Sequence, residues 1–331
     1  MKVSQEPQSL NDILKGKKFT VPLYQREYSW SLDEVSDLYY DIHESSKDGH
    51  FFGSLLLYND GNKVDMEIVD GQQRMTTIFI LLFAILNVSK DSGNTRVIET
   101  IKSLLFVTDP FDLSNEIAIS EPRLETGKRD NKLFKEIIIN EYSKNPEDGK
   151  KIKSHKNLIN TLEFFEKRLN EIKEFKGFDG IQIFTQQVMK SEFIVMTAEK
   201  QSDRLLLFKT INARGKDLDQ GDLIKNELCH KLDDDKIDEA IASWDDVRSK
   251  IEKNDGKLDK FLFHFINSLD QSQNLRQKLN SKKGFENQNK KNYPPVSEKH
   301  VFEIYSELIK GIGPDEFLKM LLKSADEYKL Y

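Results

Sequence analysis

One cysteine, Cys229, stands in 331 residues. A single thiol excludes an internal disulfide framework and a cysteine-rich zinc site, and it fits a reducing, cytoplasmic setting. Residues 1–18 carry no apolar core of the secretory kind. The most apolar run, Met75 to Val88, contains Thr76 and Thr77 and is shorter than the roughly 20 residues a membrane span needs. It predicts a buried helix, and no membrane partner is expected. Excess positive charge is also lacking. A net charge of -6 excludes a generally basic, sequence-blind nucleic-acid binder, although a local basic pocket remains open to DNA.

Several chemistries are absent as well. Arg214-Gly215-Lys216 lacks the spacing of a phosphate-binding Gly-rich loop, and neither a G-x-S-x-G elbow nor an H-E-x-x-H pair occurs. His43, His50, His155, His230, His264 and His300 are scattered. A histidine-metal nuclease needs a local constellation, and none is visible. No internal repeat is found.

What is present begins with enough apolar residues, 37%, to build a core, under a heavily charged surface. Lys18 to Tyr24 reads as a short strand that Pro22 confines to an edge or ends early. Ser31 and Glu34 form a capping box ahead of a helix with Val35, Leu38, Tyr39 and Ile42 on one face. Phe51 to Leu57 is a second strand. The turn signal Asn59-Asp60-Gly61-Asn62 leads to alternating Val64, Met66 and Ile68, a returning strand that ends at Asp70-Gly71.

Residues 95–185 read as a helical insertion, with a stripe at Leu158, Leu162, Phe165, Leu169 and Ile172. Glu192 to Thr197 is too apolar to stand alone and needs the N-terminal sheet. Asp203 to Asn212 and a segment to about His230 read as helices. Further helices follow from 232, around a polar loop at Gly284 to Pro295. The domains expected are 1–94 with 186–231 as an α/β core, 95–185 as the insertion, and 232–331 as a C-terminal helical region. The fold class is α+β.

Three clusters could carry chemistry. Asp70-Gly71-Gln72-Gln73-Arg74 sits where a strand hands over to an apolar helix. Unpaired N–H groups and the helix dipole favour a phosphate there. Arg74 adds a fork of donors, and Gly71 admits a ligand to the backbone. Asp70 could orient a water or hold Mg²⁺, and Gln72 and Gln73 could bind a base or phosphate. The spacing equally fits an ordinary turn whose Asp caps the helix. In the second cluster, Tyr24 to Trp30, Gln25 and Arg26 could grip a phosphate while Tyr24 and Tyr28 stack on a base or sugar. Tyr28 and Trp30 also fit a packing staple, which is preferred for Trp30. The third is Asn212, Arg214, Asp222 and Lys225. Asp222 and Lys225 share a helix face, and a surface Asp–Lys pair beside a capping Gly fits that spacing better by itself. A composite pocket of Arg26, Arg74, Arg214 and Lys225 around one anion is expected if Asn212 to Lys225 lies near Asp70.

The segments "VPLYQREYSW", "FFGSLLL", "EIVDGQQRMTTIFILL" and "LLLFKTINARGKDLDQGDLIKNEL", in this order over residues 20 to about 228, resemble a known family. It is the N-terminal domain of GmrSD-type, type IV modification-dependent restriction enzymes, also seen in phosphorothioation-dependent SspE proteins. The resemblance implies a small ParB/sulfiredoxin-like mixed α/β core, nucleoside triphosphate hydrolysis with Mg²⁺ linked to "DGQQR", recognition of modified DNA, and an anti-phage role. It points to Asp70, Gln72, Gln73 and Arg74 as catalytic. Gly71, Gln25, Arg26, Asn212, Arg214 and Lys225 are expected to bind nucleotide, and Tyr24, Arg26 and Tyr28 to bind DNA. Cys229 lies outside these motifs, so a redox role is rejected. Many members carry a His-Asn-His-like nuclease domain with a D-H-x-x-P type motif, which this chain lacks. Modified DNA and a nuclease domain or subunit are the expected partners. The oligomeric state stays open, a homo-oligomer included.

Overall fold

A computed structural model of the chain describes residues 2–3, 7–22, 25–45, 49–59, 61, 64–107, 121–139, 152–199, 220–229, 231–232, 234–252, 256–269 and 301–328. The chain forms two compact units, Met1–Pro22 with Arg26–Arg214, and Leu23–Gln25 with Gly215–Tyr331. Their boundary at 214/215 differs from the one expected at 231/232. The fold is α+β.

The first unit is built on a mixed sheet in the order β1-β9-β4-β5-β3-β8, with β2 also on β9. The strands are β1 (Lys2–Val3), β2 (Gln8–Ser9), β3 (Lys18–Thr20), β4 (Phe51–Tyr58), β5 (Asp65–Asp70), β8 (Leu124–Glu125) and β9 (Glu192–Ala198), and the short helix α1 (Leu10–Leu14) follows β2. The β4–β5 hairpin follows from its turn residues. Gly61 adopts φ 100 and donates its N–H to the Asn59 side-chain oxygen at 3.1 Å. The strands pair antiparallel with Leu57 opposite Ile68, and a bulge falls between Leu56 and Leu57. β9 runs parallel to β4 with Leu55 opposite Val195, which gives its apolar residues the sheet they required. β3 ends two residues before Pro22, but it is not outermost, because β8 pairs with it in parallel.

β5 passes through Gly71 into α3 (Gln72–Ser89), whose run from Met75 to Leu86 is buried on every face. A helix apolar all round belongs inside a protein. Each fully buried Leu, Ile or Phe contributes about 1.5–3 kcal/mol, which makes α3 the principal source of core burial in the unit. α4 (Thr95–Leu105) and α6 (Lys153–Lys190) pack on it. α6 breaks at Gly177, where φ is 63, and its stripe Leu158, Leu162, Phe165, Leu169 and Ile172 is buried. α2 (Leu32–Glu44) packs on α6 and starts with the predicted capping box of Ser31 and Glu34. The 95–185 segment also holds α5 (Lys128–Ile138) and the short strands β6 (Phe106–Val107), β7 (Glu121–Pro122) and β8. It is therefore more than a helical insertion, since β8 joins the main sheet. Two-residue strands are too short to leave an alternation signal.

The described part of the second unit is helical: α7 (Gln220–Cys229), α8 (Asp234–Glu252), α9 (Leu258–Ser268), α10 (Val301–Ile312) and α11 (Pro314–Glu327). Its core includes Trp244, Phe261, Tyr305 and Phe317. Tyr305 satisfies its buried hydroxyl by donating to the Leu262 carbonyl at 2.8 Å. Cys229 is buried, and burial pushes its thiol up to about 11. The helix expected at 203–212 and the polar loop expected at 284–295 lie outside the described residues.

Candidate functional site

β5 delivers Asp70 to the edge of the first core, and the chain must turn at once into α3. Gly71 makes that turn at φ 95 and ψ 9. A Cβ there would stand 2.9 Å from Leu55 Cδ1, so both the left-handed backbone and the close approach require glycine. Gly71 is itself the N-cap and provides no side-chain cap. The start of α3 thus keeps the donor character that an Asp, Ser or Thr cap would have removed. Asp70 lies one residue too early to cap the helix. Its carboxyl is pushed up by burial, and this is opposed by Arg74, by the Gly71 N–H and by Arg26.

Arg74, in the first turn, leans back along β4. Its Nη1 donates to the Phe52 carbonyl, and its guanidinium carbon lies 6.0 Å from the Phe193 ring centroid. Gly53, at φ 90, leaves room, since a Cβ there would meet Arg74 Nη1 at 3.0 Å. Burial lowers the proton affinity of Arg74 and Asp70 partly restores it.

Gln72 and Gln73, each 8% exposed, face the segment Arg26–Ser29. Gln72 Nε2 donates to the Arg26 carbonyl at 3.1 Å, and Gln73 Nε2 to the Glu27 carbonyl at 3.1 Å. The Ser29 N–H donates to Gln73 Oε1 at 2.8 Å. Gln72 Oε1 is buried with no hydrogen-bond partner among the described residues, which leaves its desolvation uncompensated there. The two amides therefore fix the Arg26 segment against the start of α3, and Arg26 is close enough to act on both Asp70 and Glu34.

Tyr28 requires a correction. It is 4% exposed, and its hydroxyl shares hydrogen bonds with Thr77 Oγ1 at 2.7 Å and Thr161 Oγ1 at 3.2 Å. Burial pushes that hydroxyl up to about 12. A ring held in the core has no open face for a base, so the expected stacking role is not supported. Trp30 packs against the same core, as the staple alternative required.

Gln25 is half-buried and groups with the second unit. Tyr24, Asn212 and Arg214 lie outside the described residues. Lys225 is buried on α7 and pairs with Asp245 of α8 at 3.5 Å, while Asp222 pairs with Arg248 at 3.1 Å. The i,i+3 spacing thus resolves into two pairs between helices rather than a surface Asp–Lys pair.

One neighbour was not foreseen. The Asp130 carboxylate accepts the Tyr28 N–H at 2.7 Å across 102 residues of sequence. No local pattern around Asp130 signals this.

The first unit thus presents a helix start without a side-chain cap, an aspartate on which Arg74 acts, and a second arginine on a fixed segment, at the carboxyl end of a central strand of an α+β fold. The model of the GmrSD restriction endonuclease N-terminal domain matches residues 10–229. The chain belongs to this family and is a component of a modification-dependent restriction system. No curated protein matches it. No helix among the described residues is long and apolar enough to cross a membrane.

Proposed function

We propose that the start of α3 binds and hydrolyses a nucleoside triphosphate with Mg²⁺, and that hydrolysis is coupled to recognition of modified DNA and licenses a nuclease domain or subunit. The observation that carries this reading is the helix start itself, which lacks a side-chain cap while Arg26 and Arg74 both act on Asp70 beside it. Such a start attracts phosphate through its N–H groups and dipole. Arg26 neutralises phosphate charge, and Arg74 opposes the burial that pushes the Asp70 carboxyl up. Among the described residues no group of three His, Cys, Asp or Glu could hold a metal ion. A Mg²⁺ would rest on Asp70 and on phosphate oxygens, in keeping with the habit of this ion of taking one or two carboxylates plus substrate phosphates. Its chemistry would be charge neutralisation at the phosphates.

A second reading, a modified-DNA-binding module in which nucleotide is only a switch, draws support from Gln72 and Gln73. Their amide groups hold backbone at 3.1 Å instead of facing a water nucleophile. Hydrolysis of each of the four triphosphates, with Mg²⁺ and with or without modified DNA, separates the two. Turnover indistinguishable from buffer under all conditions removes the hydrolase reading. The same incubation with modified plasmid is expected to leave the DNA intact, because the chain lacks the D-H-x-x-P type motif. Cleavage abolished by one carboxylate substitution would contradict that.

A further inference from the structure

The segment Arg26–Ser29 is held from two sides. α3 holds it through Gln72 and Gln73, as described above. On the other side stand the first turns of α5 and α6. Arg129 Nη1 reaches Glu27 Oε1 at 3.2 Å. Asp130 is 3% exposed. Its Oδ2 accepts the Tyr28 N–H at 2.7 Å, and its Oδ1 accepts the Ser154 hydroxyl at 2.6 Å. His155 Nε2 stands 3.8 Å from the same Oδ1 and 2.9 Å from the Arg129 carbonyl. A carboxylate is costly to bury unless both oxygens are matched. Both are matched here, to a backbone N–H of the Arg26 segment and to a hydroxyl on α6.

We propose that Asp130 is a positioning residue that, through the Tyr28 N–H and together with Ser154, sets where Arg26 stands, so that α5 and α6 regulate the site at the start of α3. Its consequence for nucleotide binding rests on the function proposed above. A displacement of α5 against α6 would pull on Tyr28 N, two residues from Arg26, while Gln73 resists at Ser29. The segment between β6 and β9 is then an input to the site and not only a cover for the core.

The test uses the full chain and four variants: Asp130→Ala, Asp130→Asn, Ser154→Ala and Arg26→Ala. The first readout is amide exchange at Ser29, whose N–H is held by Gln73 and not by Asp130. Loss of a hydrogen bond to a charged group corresponds to about tenfold or more, so exchange at Ser29 should quicken by about tenfold in Asp130→Ala. Asparagine keeps an acceptor for Tyr28 N–H and offers its NH₂ to the Ser154 oxygen, so Asp130→Asn should restore protection. A merely structural loss would not be repaired in this way. If Asp130→Ala fails to fold, Ser154→Ala removes one bond only and should still quicken Ser29 by a smaller factor. Ser29 as protected as in the wild type, in whichever of these two variants folds, overturns the proposal.

The second readout is calorimetric binding of the Mg²⁺ complexes of ATP, GTP, CTP and UTP. If the wild type binds none, the nucleotide reading fails and exchange alone judges the positioning. If the wild type binds and Arg26→Ala does not, Asp130→Ala should bind about tenfold more weakly. Unchanged binding by Asp130→Ala then overturns the proposal while leaving the nucleotide reading intact.

Discussion

Two polar regions of this chain, the start of α3 and the buried face of α7, treat their charges differently. On α7, Lys225 meets Asp245 and Asp222 meets Arg248. Glu227, also buried, takes Ser306 and Lys231. At the start of α3, arginines from two segments, Arg74 and Arg26, act on Asp70, and the helix has no side-chain cap. Ion pairs between helices hold α7 in place, whereas a helix start without a side-chain cap keeps N–H groups that favour an anion. Sequence alone made the two regions look alike, as polar clusters on short motifs. Their pairing separates a structural network from a candidate binding site.

The largest effect is expected at α3. Asp70→Ala and Arg74→Ala should each lower triphosphate turnover by about 10²–10³, the range for loss of a preorganised electrostatic contact. A steady-state hydrolysis assay checks this, and a change within a factor of a few would place the chemistry elsewhere.

The next effect concerns α7. Lys225→Met removes the cation that stands 3.5 Å from Asp245 and should destabilise the fold by about 3 kcal/mol, whereas Lys225→Met with Asp245→Leu should recover most of that loss. Denaturant unfolding of the two single variants and the double variant measures the coupling. If the single variants cost nothing, the pair does not hold the second unit together.

The third effect comes from Glu67 on β5, which burial pushes up to about 8 from 4.5. A raised carboxyl favours the folded state while protonated, so its contribution is complete below about pH 4.5 and is lost as pH rises through about 8. Glu67→Gln should therefore flatten the stability profile across that window and stabilise the protein above it, by an amount on the order of a few kcal/mol. Parallel profiles for the two proteins would show that Glu67 titrates normally.

The smallest effect is at the exposed pair of Arg129 and Glu27, where Arg129→Ala should cost only about 0.2–1 kcal/mol. A larger loss would mean that Arg129, and not Asp130, carries the grip on the Arg26 segment.

Local signals in the sequence account for much of the first unit. The capping box at Ser31, the Asn59–Gly61 turn and the apolar run of α3 each encode their element within a few residues. β9 was legible from its need for a sheet. β6, β7 and β8 were not, because two-residue strands are specified by their partners. The same holds at the site. Asp70 to Arg74 was visible as a motif, but the direction of Arg74 depends on Phe52 and Gly53 of a neighbouring strand. Gln72 and Gln73 looked like ligand contacts, while their amides in fact fix the Arg26 segment. Asp130 could not be found at all, because its partner lies 102 residues away.

The contrast between the two regions is tested most directly by calorimetric titration of the four Mg²⁺–triphosphates. The proteins compared are the wild type, Arg74→Ala, and the double variant Lys225→Met with Asp245→Leu. Binding in the wild type and the double variant but not in Arg74→Ala is the predicted result. Binding that survives Arg74→Ala and disappears in the double variant would contradict the account.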